Sequence, residues 1–158
     1  MPSLSFTIVG ETKVRIGWTE PYNGGSPVIS YQILFKNGLT FSEIKTYCDG
    51  TNPAIVTNHY CDIPFTEFRI SPLFYTYNTL IIAKVSATNN IGTGLFSIVN
   101  TEGIKVQTEP SVPPLAPHIV SYSEFSIQLD INILTGDQTG GSPILYYDLS
   151  WDLGTNGF

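Results

Sequence analysis

The side chains that could do chemistry in this chain include two cysteines that flank a turn-rich stretch. Cys48 and Cys61 lie on either side of residues 49–53, with the sequence Asp-Gly-Thr-Asn-Pro, and His59 stands close to the second cysteine. Such a pair could form a disulfide, remain as two core thiols, or serve as metal ligands. A zinc site needs four ligands, and only His59 lies near. The residues by themselves leave these alternatives open.

The two histidines, His59 and His118, do not stand in a catalytic motif. They are far apart in the sequence, and no Ser or Cys beside either has the context of a nucleophile elbow. We therefore expect structural roles for both histidines, no enzymatic activity and no cofactor.

Three carboxylates near glycine-rich turns could suggest calcium. Asp137, Asp148 and Asp152 form this group, but their spacing does not fit an EF-hand loop. Residues 152–157 are more typical of a hairpin turn, like Asn37-Gly38 earlier in the chain. We expect no metal site.

The composition excludes several classes of partner. The chain has 158 residues, of which 42% are hydrophobic and 13% charged, and its net charge is -6 with 7 Lys and Arg. Seven cationic side chains are too few to neutralise much of a phosphate backbone. We therefore expect no nucleic-acid partner. No apolar run approaches the roughly 20 residues that span a bilayer, so we expect no membrane insertion. The first residues lack a signal-peptide pattern, and we expect the chain to be part of a longer protein.

Apolar residues alternate with polar ones in short stretches, which predicts strands. One predicted strand turns Val14, Ile16 and Trp18 to one side. A second, Val28–Phe35, turns alternate residues inward from Ile29, and a third, Leu80–Thr88, does so from Ile81. No helical period is evident. Strands without intervening helices favour an antiparallel sandwich.

A proline-rich stretch divides the chain, and the pattern restarts after it. Residues 109–117 hold four prolines in nine positions and are typical of a stiff linker. The run Gly-Gly-Ser-Pro at 24–27 recurs at 140–143, at an offset of about 115 residues. We therefore predict one module at 1–108, a linker at 109–117 and the N-terminal part of a second module at 118–158.

These features resemble the fibronectin type III family. The resemblance rests on Trp18, the Gly-Gly-Ser-Pro turn, Tyr31 and the run Ala87–Ser97, which is similar to the family's A-x-N-x-x-G-x-G-x-x-S pattern. It implies an all-β, immunoglobulin-like β-sandwich, with one complete module and the first half of a second. It also implies binding, spacing or scaffolding rather than catalysis.

More narrowly, the chain resembles paired modules in very large repeat surface proteins of ciliated protists. That resemblance implies an extracellular or cell-surface location, and hence a disulfide between Cys48 and Cys61. One residue departs from the family, because Ile81 stands where a tyrosine usually ties down a corner. We expect Tyr77 or the turn at 69–72 to take over this task.

Some apolar residues have no evident place in the core, and they form a possible interface. Leu80 and Ile82 should point away from the core, and Phe74, Tyr75 and Tyr77 lie in a predicted loop. The loop aromatics either plug the bottom of the sandwich or contact another module or subunit.

The second module is predicted to hold about three strands, at 118–123, 125–131 and 144–153. Three strands leave an apolar face uncovered, so we expect that this part does not fold alone. The face consists of Ile127, Leu129, Ile131, Tyr147, Leu149 and Trp151.

The leading functional hypothesis is a non-catalytic structural repeat of an extracellular or cell-surface fibre or coat. The alternative is a ligand-binding or adhesion module that uses the loops at one end of the sandwich. The expected partners are neighbouring modules of the same chain or other copies in a fibre. O-linked glycans on Ser and Thr are a further option, whereas no N-x-S/T sequon occurs.

Overall fold

A computed structural model of the chain describes residues 1–151, and contacts divide it into two units, Met1–Gln107 and Thr108–Phe158. The hairpin turn predicted at 152–157 lies outside the described residues. The strands of the first unit are β1 (Leu4–Val9), β2 (Lys13–Trp18), β3 (Val28–Asn37), β4 (Thr40–Ser42), β5 (Tyr60–Pro64) and β6 (Ala83–Asn89).

The first unit is a sandwich of two antiparallel sheets. One sheet has the strand order β1-β2-β5, and the other has the order β4-β3-β6. Hairpins join β1 to β2 and β3 to β4, after which β5 returns to the first sheet beside β2 and β6 to the second sheet beside β3. This arrangement is the immunoglobulin-like, fibronectin type III architecture. The predicted fold class is confirmed. The buried core is composed of Val14, Ile16, Trp18, Tyr31, Ile33, Phe35, Ile44, Cys48, Cys61, Ile63, Phe65, Phe68, Leu73, Ile81, Ala83, Val85 and Val106.

An irregular segment at 97–106 lies along the edge of β6 that faces away from β3. The amides of Ser97 and Val106 donate to the carbonyls of Val85 and Thr79 at 2.8 and 2.9 Å. Between these points the side chain of Asn100 replaces the backbone, because its Oδ1 accepts from the Ala83 amide and its Nδ2 donates to the Ile81 carbonyl, each at 2.8 Å. This segment therefore completes the second sheet without a regular strand ladder.

Two short helices were not expected from the sequence: α1 (Pro53–Asn58) and α2 (Phe65–Arg69). Helices of six and five residues are too short to display a 3.6-residue period. Local chemistry nevertheless specifies α1. Asn52 caps it by accepting from the Ala54 amide at 2.9 Å, and Pro53 has the fixed φ that suits a first helical position.

Strand β2 confirms the predicted alternation, but the start of β3 does not. Val14, Ile16 and Trp18 are buried as expected, and so are Tyr31, Ile33 and Phe35. Ile29 was predicted to join them and is instead 51% exposed. The reason is a register shift between Val28 and Ser30, because an extra residue in a strand reverses which face the preceding side chains occupy.

The third predicted strand, at 80–88, is regular only from Ala83 onward. Its inward face is as predicted, since Ile81, Ala83 and Val85 are buried. Ser86 was predicted to point outward and is fully buried. It lies opposite Gln32 of β3, and the segment at 97–106 borders β6 on its other side, so this small side chain is flanked within the sheet.

The second unit contains β7 (His118–Tyr122), β8 (Ile127–Asp130) and a 3-10 helix (Gly136–Thr139). The strand predicted at 144–153 is wrong over its described part, because residues 144–151 have no regular structure. The equivalent strand β3 pairs with β4 and β6, and the described part of the second unit offers no strand to take either place.

Four of the six residues of the predicted apolar face are exposed, Ile127, Leu129, Leu149 and Trp151, whereas Ile131 and Tyr147 are half-buried. Ile127 is 65% exposed and Trp151 is 70% exposed, and no residue of 108–151 belongs to the buried core. That this part does not fold alone remains a prediction.

Candidate functional site

Cys48 and Cys61 form a disulfide, with their Cα atoms 5.3 Å apart. Both are buried. Cys61 lies on β5 opposite Ile16, and Cys48 lies in the segment that follows β4. The bond therefore fastens the segment that follows β4 of the second sheet to an edge strand of the first sheet.

The same segment approaches β3 so closely that only glycine fits at position 50. The Tyr31 amide donates to the Gly50 carbonyl at 2.9 Å. A Cβ atom on Gly50 would overlap the Tyr31 carbonyl group. Sequence reasoning treated this glycine only as part of a turn, and no local signal distinguishes it from a turn glycine.

Both histidines occupy structural positions. His59 ends α1 in the left-handed conformation, and its carbonyl accepts from the Trp18 amide at 2.9 Å, while its ring meets Tyr31 edge-on. His118 lies on β7 opposite Asp130, with 3.5 Å between Nε2 and the carboxylate. The two histidines lie in separate units, as predicted.

The carboxylates with local partners also have structural roles. Asp62 accepts two hydrogen bonds of 2.7 Å from Arg15 across β2 and β5, and these bonds lower the pKa of its carboxyl. Asp49 accepts from the amide and hydroxyl of Thr51, which likewise lowers its pKa. Within residues 1–151, no group of three or more His, Cys, Asp or Glu side chains could hold a metal ion. Asp152 of the predicted carboxylate group lies outside the described residues.

Four of the five predicted interface residues line a groove of about 370 Å³ at one end of the first unit, which we call the Phe74 groove, and Tyr77 is not among its lining residues. It is lined by Lys36, Leu73, Phe74, Tyr75, Leu80 and Ile82, together with Gly38, Thr76 and Thr79. Phe74 is 67% exposed, whereas Tyr75, Tyr77, Leu80 and Ile82 are half-buried. Sequence analysis did not predict Leu39 as part of this surface. Leu39 is fully exposed beside Gly38 in the turn between β3 and β4.

Tyr75 anchors this groove to the core. Its ring stacks on Phe68, which in turn meets Phe35 edge-on, and its hydroxyl donates to the Lys36 carbonyl. The Tyr75 hydroxyl thus makes one tie of this region. That Tyr77 or the turn at 69–72 also ties it down remains a prediction. Tyr75 therefore plugs the bottom of the sandwich, and Phe74 beside it does not.

Burial raises the pKa of the Tyr75 hydroxyl to about 12. The folded protein therefore holds the hydroxyl proton to a higher pH than the unfolded chain does. The contribution of this group to the free energy of unfolding is complete below about pH 10 and is lost as the pH rises toward 12. We predict that alkaline difference absorbance will detect a late titration near pH 12 that decreases by one tyrosine in Tyr75→Phe. Tyr22→Phe is the control, since Tyr22 is 94% exposed, and should leave this late titration unchanged. An unchanged late titration in Tyr75→Phe would contradict the prediction.

A second, smaller pocket of about 280 Å³ lies at the loops between β2 and β3 and after β6. Tyr22, Asn23, Gly92 and Leu95 are among its lining residues. Asn89 joins these loops, because its Nδ2 donates to the Asn23 carbonyl at 2.9 Å. This end of the sandwich is where the alternative function would place a ligand.

Comparisons with known proteins give likenesses among solved structures alone. No protein-family model matches the chain, and no curated protein matches it. Among solved structures, the crystal structure of chicken CNTN1 FN1-FN3 domains matches 89% of this chain and 45% of that chain, with 17% identity and a TM-score of 0.43. The chain thus spans less than half of that structure.

The strand order of the first unit defines its structural class. It is an antiparallel β-sandwich of the fibronectin type III kind. Within residues 1–151, no helix has the length and the apolar character needed to cross a membrane.

Proposed function

We propose that the chain is a non-catalytic structural repeat of an extracellular or cell-surface fibre or coat protein. It consists of a fibronectin type III-like module at 1–108, a linker at 109–117 and the N-terminal part of a second such module at 118–158. We further propose that the protein is of the very large repeat type found on ciliated protists.

The observation that supports this proposal most is the disulfide between Cys48 and Cys61. Both sulfur-bearing residues are buried in the core, so the bond is part of the fold. Disulfides of this kind form and persist in oxidising environments and are rare in the cytosol.

The exposed apolar surface supports a scaffolding role. Phe74 and Leu39 at one end of the first unit would be covered if modules or copies associate there. The partners that we propose are accordingly neighbouring modules of the same chain or other copies in a fibre.

Immunogold electron microscopy of the cells that make the protein tests this function. With an antibody against residues 1–107, we expect label on the surface of unpermeabilised cells, along filaments or within a coat. Label that appears only after permeabilisation would contradict the proposal. A protein of the same cell's cytosol serves as the control for intact membranes.

One observation favours the alternative, a ligand-binding or adhesion module. Tyr22 is almost fully exposed beside the loop pocket, and exposed aromatic residues are common anchors of binding sites. Binding of the purified chain to a glycan array, lost in Tyr22→Ala, would favour this alternative over the structural function.

A further inference from the structure

Asn23 and Gly24 form a sequence pair in which the asparagine side chain can react with the backbone of the next residue. Because glycine has no side chain to shield its amide nitrogen, this nitrogen can approach the amide carbon of the asparagine closely. The same pair occurs at Asn37-Gly38 and at residues 156–157, and the last of these lies outside the described residues. The fold distinguishes the two described pairs, although their sequences are alike.

The Asn23 side chain is held in a reactive arrangement. Its Oδ1 accepts a hydrogen bond from the Gly25 amide at 2.9 Å, which folds the side chain over the peptide nitrogen of Gly24. This donor points at the oxygen on which negative charge develops when Cγ is attacked, so it stabilises the transition state as an oxyanion hole does. Gly24 and Gly25 are exposed, so water and solvent base reach the Gly24 amide.

The nitrogen that must leave is free at Asn23. Among the described residues, none forms a hydrogen bond with Asn23 Nδ2. The amide group can therefore depart as ammonia without the loss of a contact to the protein.

Asn37 has the opposite pattern of hydrogen bonds. Its Nδ2 donates to the Pro72 carbonyl at 2.7 Å and to the Ser42 hydroxyl at 3.3 Å. Both bonds must break before this nitrogen leaves, so the fold protects Asn37 and exposes Asn23 to the same reaction.

We propose that Asn23 is a site of spontaneous deamidation. The Gly24 amide nitrogen, which loses its proton to solvent base, forms a bond to Asn23 Cγ, the Cγ–Nδ2 bond breaks and ammonia leaves, so that a cyclic imide closes. Water then adds to one of the two imide carbonyl carbons and breaks its bond to the Gly24 nitrogen. Addition at Cγ gives aspartate in an unchanged backbone. Addition at the main-chain carbonyl carbon gives isoaspartate, in which the chain runs through Cγ.

Both products change the loop pocket between β2 and β3 and after β6. Tyr22 and Asn23 line this pocket, and none of its described lining residues carries a charged side chain, so deamidation brings a carboxylate to neutral surroundings. Isoaspartate also moves the Asn23 carbonyl out of the chain. That carbonyl accepts from Asn89 Nδ2 at 2.9 Å and from the Ser26 amide at 3.3 Å, so isoaspartate loosens the loop from the end of β6. The inference does not rest on the proposed function.

Incubation of the full chain in mildly alkaline buffer, followed by peptide mapping with mass spectrometry, tests the proposal. Deamidation is recognised by the mass gained when an NH2 group is replaced by OH, and chromatography separates the aspartate and isoaspartate peptides. The same incubation in guanidinium chloride is the control, because both pairs lose their hydrogen bonds in the unfolded chain. Gly24→Ala and Gly38→Ala are the matched variants.

We expect the folded chain to deamidate at least about ten-fold faster at Asn23 than at Asn37, since breaking the two hydrogen bonds of Asn37 slows the reaction by a factor of this order. In the unfolded chain the two rates should become similar. Gly24→Ala should abolish the change at Asn23, because its methyl group hinders the attacking nitrogen, whereas Gly38→Ala should leave that change intact. Equal rates at the two sites of the folded chain would overturn the proposal. An unmodified Asn23 in the folded chain, or a rate difference that persists after unfolding, would overturn it as well.

Discussion

Replacing both Cys48 and Cys61 with alanine is expected to lower the free energy of unfolding of the first unit by about 3 kcal/mol. The disulfide closes a short loop with a sequence separation of 13. Restricting the unfolded chain over a loop of this size is worth about 3 kcal/mol in the chain-entropy model. Loss of the buried sulfur atoms adds to the effect.

Urea denaturation followed by tryptophan fluorescence measures this change. The chain has 2 tryptophans, and a Trp151→Phe background leaves Trp18, which is buried in the first unit, as the single reporter. Adding a reductant is the control, because it should destabilise the background protein and leave the alanine variant unchanged. An alanine variant as stable as its background would mean that other contacts hold the segment between the sheets.

Gly50→Ala is expected to destabilise the first unit by about 3 kcal/mol, the upper end of what overpacking usually costs. The added methyl group would overlap the Tyr31 carbonyl, which belongs to the backbone of a central strand and cannot rotate away. Separating the two segments would also weaken the hydrogen bond from the Tyr31 amide to Gly50.

Gly94→Ala is the matched control for this substitution. A Cβ atom on Gly94 would lie 3.6 Å from the Ala87 carbonyl oxygen, which is ordinary van der Waals contact. The same urea experiment should therefore find little change in Gly94→Ala. Equal stability of the two glycine variants would contradict the close approach of the segment to β3.

The strands of the first unit could be predicted because their side chains alternate between a buried and an exposed face. Val14, Ile16 and Trp18 follow this rule along β2. The bulge at the start of β3 could not be predicted in the same way, because one added residue leaves the composition of a strand unchanged while it moves Ile29 to the other face.

The short helices depend on capping rather than on periodicity. Asn52 and Pro53 are a sequence signal for α1, but in a stretch rich in turn residues the same pair is equally typical of a loop. The strand expected at 144–153 failed for a different reason. A strand forms only where an adjacent strand pairs with its backbone. A repeated sequence motif does not show whether the described part of the second unit supplies that partner.

The candidate interface could be predicted in part. An aromatic run in a loop pointed to Phe74 and Tyr75, but tertiary contacts assign them different tasks: Tyr75 stacks on Phe68, and Phe74 projects from a strained backbone. Leu39 was missed, because a single apolar residue in a turn is unremarkable until the fold brings a second one near it.

The proposed function requires the disulfide-linked sandwich of the first unit to lie outside the cytosol. Peptide mapping by mass spectrometry tests it most directly, on protein taken from the cells that make it, with free thiols alkylated at lysis and without reduction. We expect two peptides that are cross-linked through Cys48 and Cys61 and that a reductant separates. Two alkylated thiols at these positions in the folded native protein would contradict it.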